Sequence, residues 1–168
     1  MSSPVRILAA LAIFALLAAS PAPAAEQILI TPAEGIGPCK IGNSFFGMRK
    51  PEFSKKLQNG DVIAKYPSHG LIVQYQGYSG EIHFVGVDKA SCGKTAYATK
   101  DGLRVGVPKS SVESIYGEPD QIVDVTSKDV YPASDKLAIY AKKGVSFHYD
   151  ESGKVVVIIV FSPAIFGK

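Results

Sequence analysis

The feature that most constrains this chain is a hairpin pattern that occurs twice. Residues 70–76 followed by 80–87 align with residues 144–150 followed by 153–160, once one additional residue is allowed in the first loop. Internal similarity of this kind indicates one structural unit built twice. A chance match is the alternative interpretation, because hairpins resemble one another, but a matching signal upstream of each hairpin argues against it.

The upstream signal is a short glycine-bounded segment. Pro-Cys-Lys-Ile-Gly at residues 38–42 stands before the first hairpin, where Gly-Leu-Arg-Val-Gly at residues 102–106 stands before the second. The offset between the halves grows along the chain, so the second half holds an insertion of about ten residues, which we place at 123–134. We therefore divide the chain into a first repeat, 25–98, and a second repeat, 99–168, which together form one compact unit.

Each half has the local signals of strands. Residues 71–76 and 145–150 alternate between apolar and other side chains, a period of two that is typical of half-buried strands. Residues 155–161 form an unbroken, largely β-branched run, which indicates a strand covered on both faces or central in a sheet. Residues 62–66 and 137–141 are predicted to be the preceding strands.

Each half also has the signal of a short helix. Residues 108–116 begin with proline and serines and are followed by Gly117, which is a typical helix stop. Residues 51–57 repeat this plan, with Phe53 and Leu57 four positions apart. The predicted fold class is α+β: two tandem repeats of a short helix plus a three-stranded antiparallel meander, with the helices on one face of the sheet.

The N-terminus reads as an export signal. One arginine precedes an unbroken apolar run at residues 7–19, and Ala-Pro-Ala at 22–24 supplies the small residues that a signal peptidase accepts. That run is shorter than the about 20 apolar residues that span a bilayer. We predict a signal peptide over 1–24, cleaved after about Ala24, a periplasmic or secreted protein, and no integral membrane segment after cleavage.

Two cysteines, Cys39 and Cys92, remain in a chain predicted to enter an oxidising compartment. An intrachain disulfide is the leading interpretation, and the chain-entropy model gives it roughly 4 kcal/mol as an upper figure. A redox pair or metal thiolates is a second interpretation, which the lack of a Cys-x-x-Cys spacing disfavours. Two free or intermolecular thiols are the third.

Several segments together resemble a known family. The Gly-Leu-Arg-Val-Gly segment at 102–106, the Tyr-Gly-Glu-Pro-Asp segment at 116–120 and the closing strand at 155–160 resemble the repeat unit of the β-lactamase inhibitory protein superfamily. That superfamily also includes the small outer-membrane lipoprotein of the β-barrel assembly machinery. Residues 36–42 resemble a degenerate first copy. The resemblance implies an extracytoplasmic binding or scaffold module, several of which grip another protein with the open face of the sheet.

Parts of that resemblance do not extend to this chain. No lipid-anchoring cysteine follows the apolar run, and the sequence has two cysteines and no tryptophan. A β-lactamase partner is therefore not carried over.

Catalytic and metal motifs fail when tested against the sequence. Gly93-Lys94-Thr95 lacks the earlier glycine of a phosphate-binding loop, because that position is Asp88. The three histidines are too far apart in sequence for a local metal motif. The formal net charge of +3 is scattered rather than grouped, which does not favour a nucleic-acid partner. We predict no enzyme, no cofactor and no metal.

The remaining candidate is the sheet face that points away from the predicted helices. One interpretation is a solvent-exposed face with two surface histidines. The more specific one is a platform that docks a partner and whose binding weakens when histidine is protonated below about pH 6.5. The Phe45-Phe46 pair is likewise interpreted as a core plug, with an exposed anchor as the alternative. The platform residues would be Gln74, Gln76, His83, Tyr140, Ser146 and His148.

The sequence thus predicts an exported, non-catalytic binding or scaffold module whose sheet contacts another extracytoplasmic protein. One alternative is a carrier of a small apolar ligand between sheet and helices, which a closed, tyrosine-lined pocket would favour. The other is a hydrolase whose site is assembled from distant residues, which a buried histidine or carboxylate with a shifted pKa in a cleft would favour.

Overall fold

The computed structural model describes residues 27–89, 95–126 and 134–166, which form β-strands and a single α-helix. The helix is α1 (Lys109–Tyr116). The strands are β1 (Gln27–Thr31), β2 (Gly35–Ile36), β3 (Cys39–Lys40), β4 (Phe53–Lys56), β5 (Asp61–Tyr66), β6 (Leu71–Gln76), β7 (Ile82–Asp88), β8 (Ala96–Thr99), β9 (Gln121–Asp124), β10 (Lys136–Tyr140), β11 (Val145–Tyr149) and β12 (Val155–Phe161).

The strands form two sheets. The larger has eight strands in the order β4-β5-β6-β7-β12-β11-β10-β9, so that two four-stranded meanders meet where β7 pairs antiparallel with β12. The smaller has four strands in the order β3-β2-β1-β8, in which β1 runs parallel to β8. Each meander is antiparallel throughout.

The predicted α+β fold class, two units of a helix plus a three-stranded meander, is wrong. The described residues are mostly strand, each half of the larger sheet has four strands, and β1, β2, β3 and β8 form a second sheet that was not expected. Residues 51–57, predicted as a helix, contain β4 at the sheet edge, where Phe53 pairs with Lys65 and Lys56 with Val62. A helix this short is marginal by itself, so pairing with a neighbouring strand decides its conformation.

Corresponding backbone hydrogen bonds tie each hairpin to its upstream glycine. Gly42 N–H donates to the Ile82 carbonyl at 2.8 Å, and Gly106 N–H donates to the Val155 carbonyl at 2.7 Å. After this point the halves differ, because the second continues into α1 and the first into residues 44–49 without a helix. Sequence offsets can therefore match where the chains enter a hairpin and still fail to predict the element between.

A 3-10 turn joins β5 to β6 in the first meander, and a similar 3-10 turn joins β10 to β11 in the second. Pro67–His69 ends at Gly70, and Ala141–Lys143 ends at Gly144, both glycines being left-handed with φ of 69° and 65°. At Gly144 a Cβ would lie 2.5 Å from the carbonyl oxygen of Phe161, so this corner requires glycine for space as well as for conformation.

A register shift also occurs at one place in each hairpin. It lies between Gln74 and Tyr75 in the β6–β7 hairpin and between His148 and Tyr149 in the β11–β12 hairpin. Gln74 and His148 therefore occupy corresponding positions on their strands. Bulges of this kind bend the strand and redirect the side chains beside them.

The main core lies between the larger sheet and the layer formed by the smaller sheet and α1. We call this side of the larger sheet the inner face; it carries Val73, Val85, Phe147 and Ile158, all fully buried. The opposite side, the outer face, carries a second apolar cluster made of sheet residues and one turn alanine. The members of that cluster are Ile139, Val156, Val157, Ile159 and Phe161, with Phe84, Leu137 and Ala141 against them.

The Phe45-Phe46 pair is divided between core and surface. Phe45 is 7% exposed and stacks on Tyr75, with ring centroids 3.9 Å apart and planes 7° apart. Phe46 is 60% exposed and meets the same tyrosine edge-on. Phe45 thus plugs the core of the first half, where the second half has α1.

Candidate functional site

The predicted platform residues of the first meander gather around a carboxylate that the sequence analysis missed. Asp61, 7% exposed at the start of β5, accepts a 2.9 Å hydrogen bond from the Gln74 amide and a 3.2 Å one from the Asn59 amide. His83 Nδ1 lies 3.7 Å from the same carboxylate oxygen. Gln74, Gln76 and His83 are half-buried. The Asn59-Gly60-Asp61 turn is the only sequence signal that could have indicated this cluster.

The predicted platform residues of the second meander are buried. Ser146 is 4% exposed and His148 is 3% exposed, and the His148 imidazole Nδ1 lies 2.8 Å from the Ser134 hydroxyl. Val157 and Leu137 are its cross-strand neighbours. Burial lowers the pKa of His148 to about 4, because a charged imidazole is poorly solvated there. The expectation that His148 is a surface histidine is therefore wrong, and its lowered pKa argues against charging below about pH 6.5.

Tyr140 lies on the inner face, so its assignment to the platform is also wrong. It is 2% exposed, packs against Tyr116 and Phe147, and its hydroxyl donates a 3.0 Å hydrogen bond to the Gly117 carbonyl. Burial raises the pKa of Tyr140 to about 12. The six predicted residues thus do not form one open surface, since only Gln74, Gln76 and His83 remain accessible.

A cavity of about 350 Å³ lies between the two sheets in the first half of the molecule. Its volume is within the range of small-molecule sites, which is about 300 to 1,000 Å³. Strands of both sheets and the segment before β4 supply its walls. The lining residues are Ile28, Ile36, Pro38, Cys39, Asn43, Ser44, Met48, Arg49, Tyr66, His69, Leu71, Ile82 and Tyr97.

Two tyrosines of this cavity turn their hydroxyls toward backbone carbonyls. Tyr66 donates a 2.6 Å hydrogen bond to the carbonyl of Arg49, and Tyr97 donates a 2.5 Å hydrogen bond to the carbonyl of His69. These bonds fix the loops that carry Arg49 and His69 against the wall. Because the two hydroxyls are satisfied in this way, the tyrosines present mainly ring surface to the cavity.

Cys39 lies in the wall of the cavity and is 2% exposed. Burial raises the pKa of its thiol to about 11, so that a free thiol here stays protonated and unreactive. Among the described residues Cys39 is in no disulfide. Cys92 lies outside the described residues, as does the predicted signal peptide, so the Cys39–Cys92 pairing and the cleavage site stay predictions.

Polar atoms are placed at the opening of the cavity rather than deep inside it. Asn43, Ser44, Arg49 and His69 are exposed, whereas Ile36, Ile82 and the ring of Tyr97 are buried. The sequence analysis missed this site because its residues come from β1 to β3, from the segment before β4 and from β5 to β8, and no local motif joins them. An apolar interior with a polar opening can bind a ligand without reacting with it.

Two further observations bear on metal binding and on the membrane. In the described part of the chain, no three histidine, cysteine or acidic side chains come together in a way that could hold a metal ion. No helix within residues 27–89, 95–126 and 134–166 has the length and apolar character needed to cross a bilayer.

Comparisons with known proteins find distant structural similarity alone. No protein-family model matches this chain, and no curated protein does so. A solved cysteine-rich secretory protein from Staphylococcus aureus subsp. aureus Mu50 is similar over 70% of this chain, with 12% sequence identity and a TM-score of 0.41. The chain spans only 40% of that protein's length. A similarity this weak assigns neither a family nor a function.

Proposed function

We propose that this chain is an exported, non-catalytic binding protein that holds a small apolar ligand in the cavity between its two sheets. The observation that carries the proposal is the cavity of about 350 Å³, whose walls are apolar side chains and two tyrosine rings with occupied hydroxyls. A tyrosine-lined pocket is the feature that separates a carrier from a surface-docking module.

The volume and lining decide which ligands fit. Transfer of apolar surface from water stabilises binding by about 25 cal/mol per Å², so a ligand buried here gains mainly from hydrophobic contact. The buried walls provide no charged side chain to be left unpaired, since Arg49 and His69 are exposed. A compact apolar molecule or a single alkyl chain therefore suits the interior.

The test uses the neutral apolar dye N-phenylnaphthylamine, whose fluorescence rises in apolar surroundings. Purified mature protein is titrated, and saturable binding at one site per chain is expected. Leu71→Trp places a larger side chain in the cavity wall and should weaken binding at least tenfold, which is about 1.4 kcal/mol. Tyr78→Trp is the matched control, because Tyr78 is 83% exposed in a turn that does not line the cavity.

The chain's lack of tryptophan allows an independent measurement. In Met48→Trp the new indole lines the cavity, and its emission should shift when ligand enters, whereas the Tyr78→Trp emission should not. Dye binding that is absent, or that is unaffected by Leu71→Trp in a folded protein, would exclude the cavity as a ligand site.

A second candidate function is docking of an extracytoplasmic protein on the outer face of the first meander. The half-buried side chains of Gln74 and His83, which lie beside the buried Asp61 carboxylate, support it, since they are polar groups that a partner can reach. The paired variant Gln74→Ala, His83→Ala should abolish capture of such a partner, and His69→Ala is its control. Capture that survives the paired variant would argue against this surface.

A further inference from the structure

The charged side chains at the cavity opening have one sign. Arg49 and His69 are the basic residues of the lining, and no carboxylate is among the described residues that line the cavity. Glu52, which accepts hydrogen bonds from the Ser68 backbone N–H and hydroxyl, does not line the cavity. Among the lining residues the permanent charge is therefore that of Arg49, which is exposed.

The position of that charge is fixed by the cavity wall. Tyr66 holds the Arg49 backbone through its 2.6 Å hydrogen bond, and Tyr97 holds the His69 backbone through its 2.5 Å hydrogen bond. Each basic residue is thus anchored at the rim by a tyrosine whose ring faces the apolar interior. A ligand that fills the interior brings whatever group it carries at its outer end beside Arg49.

We infer that the ligand is amphipathic, with a single apolar chain in the cavity and an anionic head group, a carboxylate, at Arg49. This inference rests on the proposed function, because it concerns the same cavity. A guanidinium matches a carboxylate with two parallel hydrogen bonds, and a cationic head group would instead be repelled. A volume of about 350 Å³ is at the small end of ligand sites, which favours one chain over a two-chain lipid.

The experiment compares three ligands that share a chain and differ in head group. Dodecanoate, dodecanol and dodecyltrimethylammonium, all below micelle-forming concentrations, compete with bound N-phenylnaphthylamine. Dodecanoate should displace the dye at about fivefold lower concentration than dodecanol, which is the size expected for an accessible charge pair. The trimethylammonium compound should be the weakest competitor.

Variants assign the head-group preference to one side chain. Arg49→Gln should make dodecanoate and dodecanol equal competitors, and Arg49→Lys should keep part of the preference. Arg104→Gln is the matched control, because Arg104 is exposed and does not line the cavity. N-phenylnaphthylamine affinity should be unchanged in Arg104→Gln, and saturable dye binding at one site per chain in the two Arg49 variants shows that their cavity is intact.

The outcomes separate this inference from the function on which it rests. Equal displacement by dodecanoate and dodecanol in the natural protein, or a preference that survives Arg49→Gln, overturns the anionic head group and leaves the cavity function standing. Absence of saturable dye binding overturns both.

Discussion

Replacement of His148 tests the effect of burying an imidazole in the larger sheet. The folded protein buries this imidazole and lowers its pKa from 6.5 to about 4, whereas the unfolded chain keeps the ordinary value. Between these values the unfolded state binds a proton that the folded state does not, so the contribution is fully present above pH 6.5 and is lost as pH falls through about 4. Each pKa unit corresponds to about 1.4 kcal/mol, so the loss amounts to about 3 kcal/mol.

Urea unfolding at pH 7, 6, 5 and 4 measures this loss in the natural protein and in His148→Gln. Glutamine stands at the corresponding position of the first hairpin, Gln74, so the backbone there accepts it. Between pH 7 and 4, the free energy of unfolding of the variant should fall by about 3 kcal/mol less than that of the natural protein. His83→Gln is the control, since the His83 side chain is 30% exposed. Parallel pH curves for the natural protein and His148→Gln would refute the reasoning.

Three shorter predictions concern packing, covalent structure and backbone conformation. Phe45→Ala should lower the free energy of unfolding by about 3 kcal/mol, and Phe46→Ala by less than about 1 kcal/mol, because only Phe45 is buried; urea unfolding compares them. Thiol titration of the denatured, unreduced protein should find no free thiol if Cys39 pairs with Cys92, and two free thiols would contradict that pairing. Gly144→Ala should cost more than about 2 kcal/mol in the same unfolding assay, because a Cβ there meets a backbone oxygen at 2.5 Å, and a near-neutral effect would show that the corner relaxes.

Local signals in the sequence predicted the strands better than they predicted what lies between them. The alternation at 71–76 and the apolar run at 155–161 correspond to β6 and β12, and the proline and glycine around α1 mark its ends. The segment at 51–57 carries two apolar residues at helical spacing. Its backbone instead pairs antiparallel with β5, and this pairing prevails over the local signal.

The larger errors have a non-local cause. The smaller sheet depends on β1 lying parallel to β8, and nothing in either segment identifies the other as its partner. The sequence also does not indicate on which face of the larger sheet Tyr140 lies, because residues 137–140 are apolar at every position and so show no alternation. The cavity could not be predicted for the first of these reasons, since Ile28 and Tyr97 come from the two strands of the parallel pair.

That parallel pair also sets an order of events during synthesis. Among the described strands β1 emerges first and can pair with β2 at once, yet β8 follows only after the whole first meander. The other edge of β1 must therefore wait for its partner while four later strands fold. Contacts between segments so far apart in the chain form slowly. A fragment that stops before residue 96 would expose this edge of β1 and would lack the Tyr97 wall of the cavity, and such an exposed edge favours pairing with other chains.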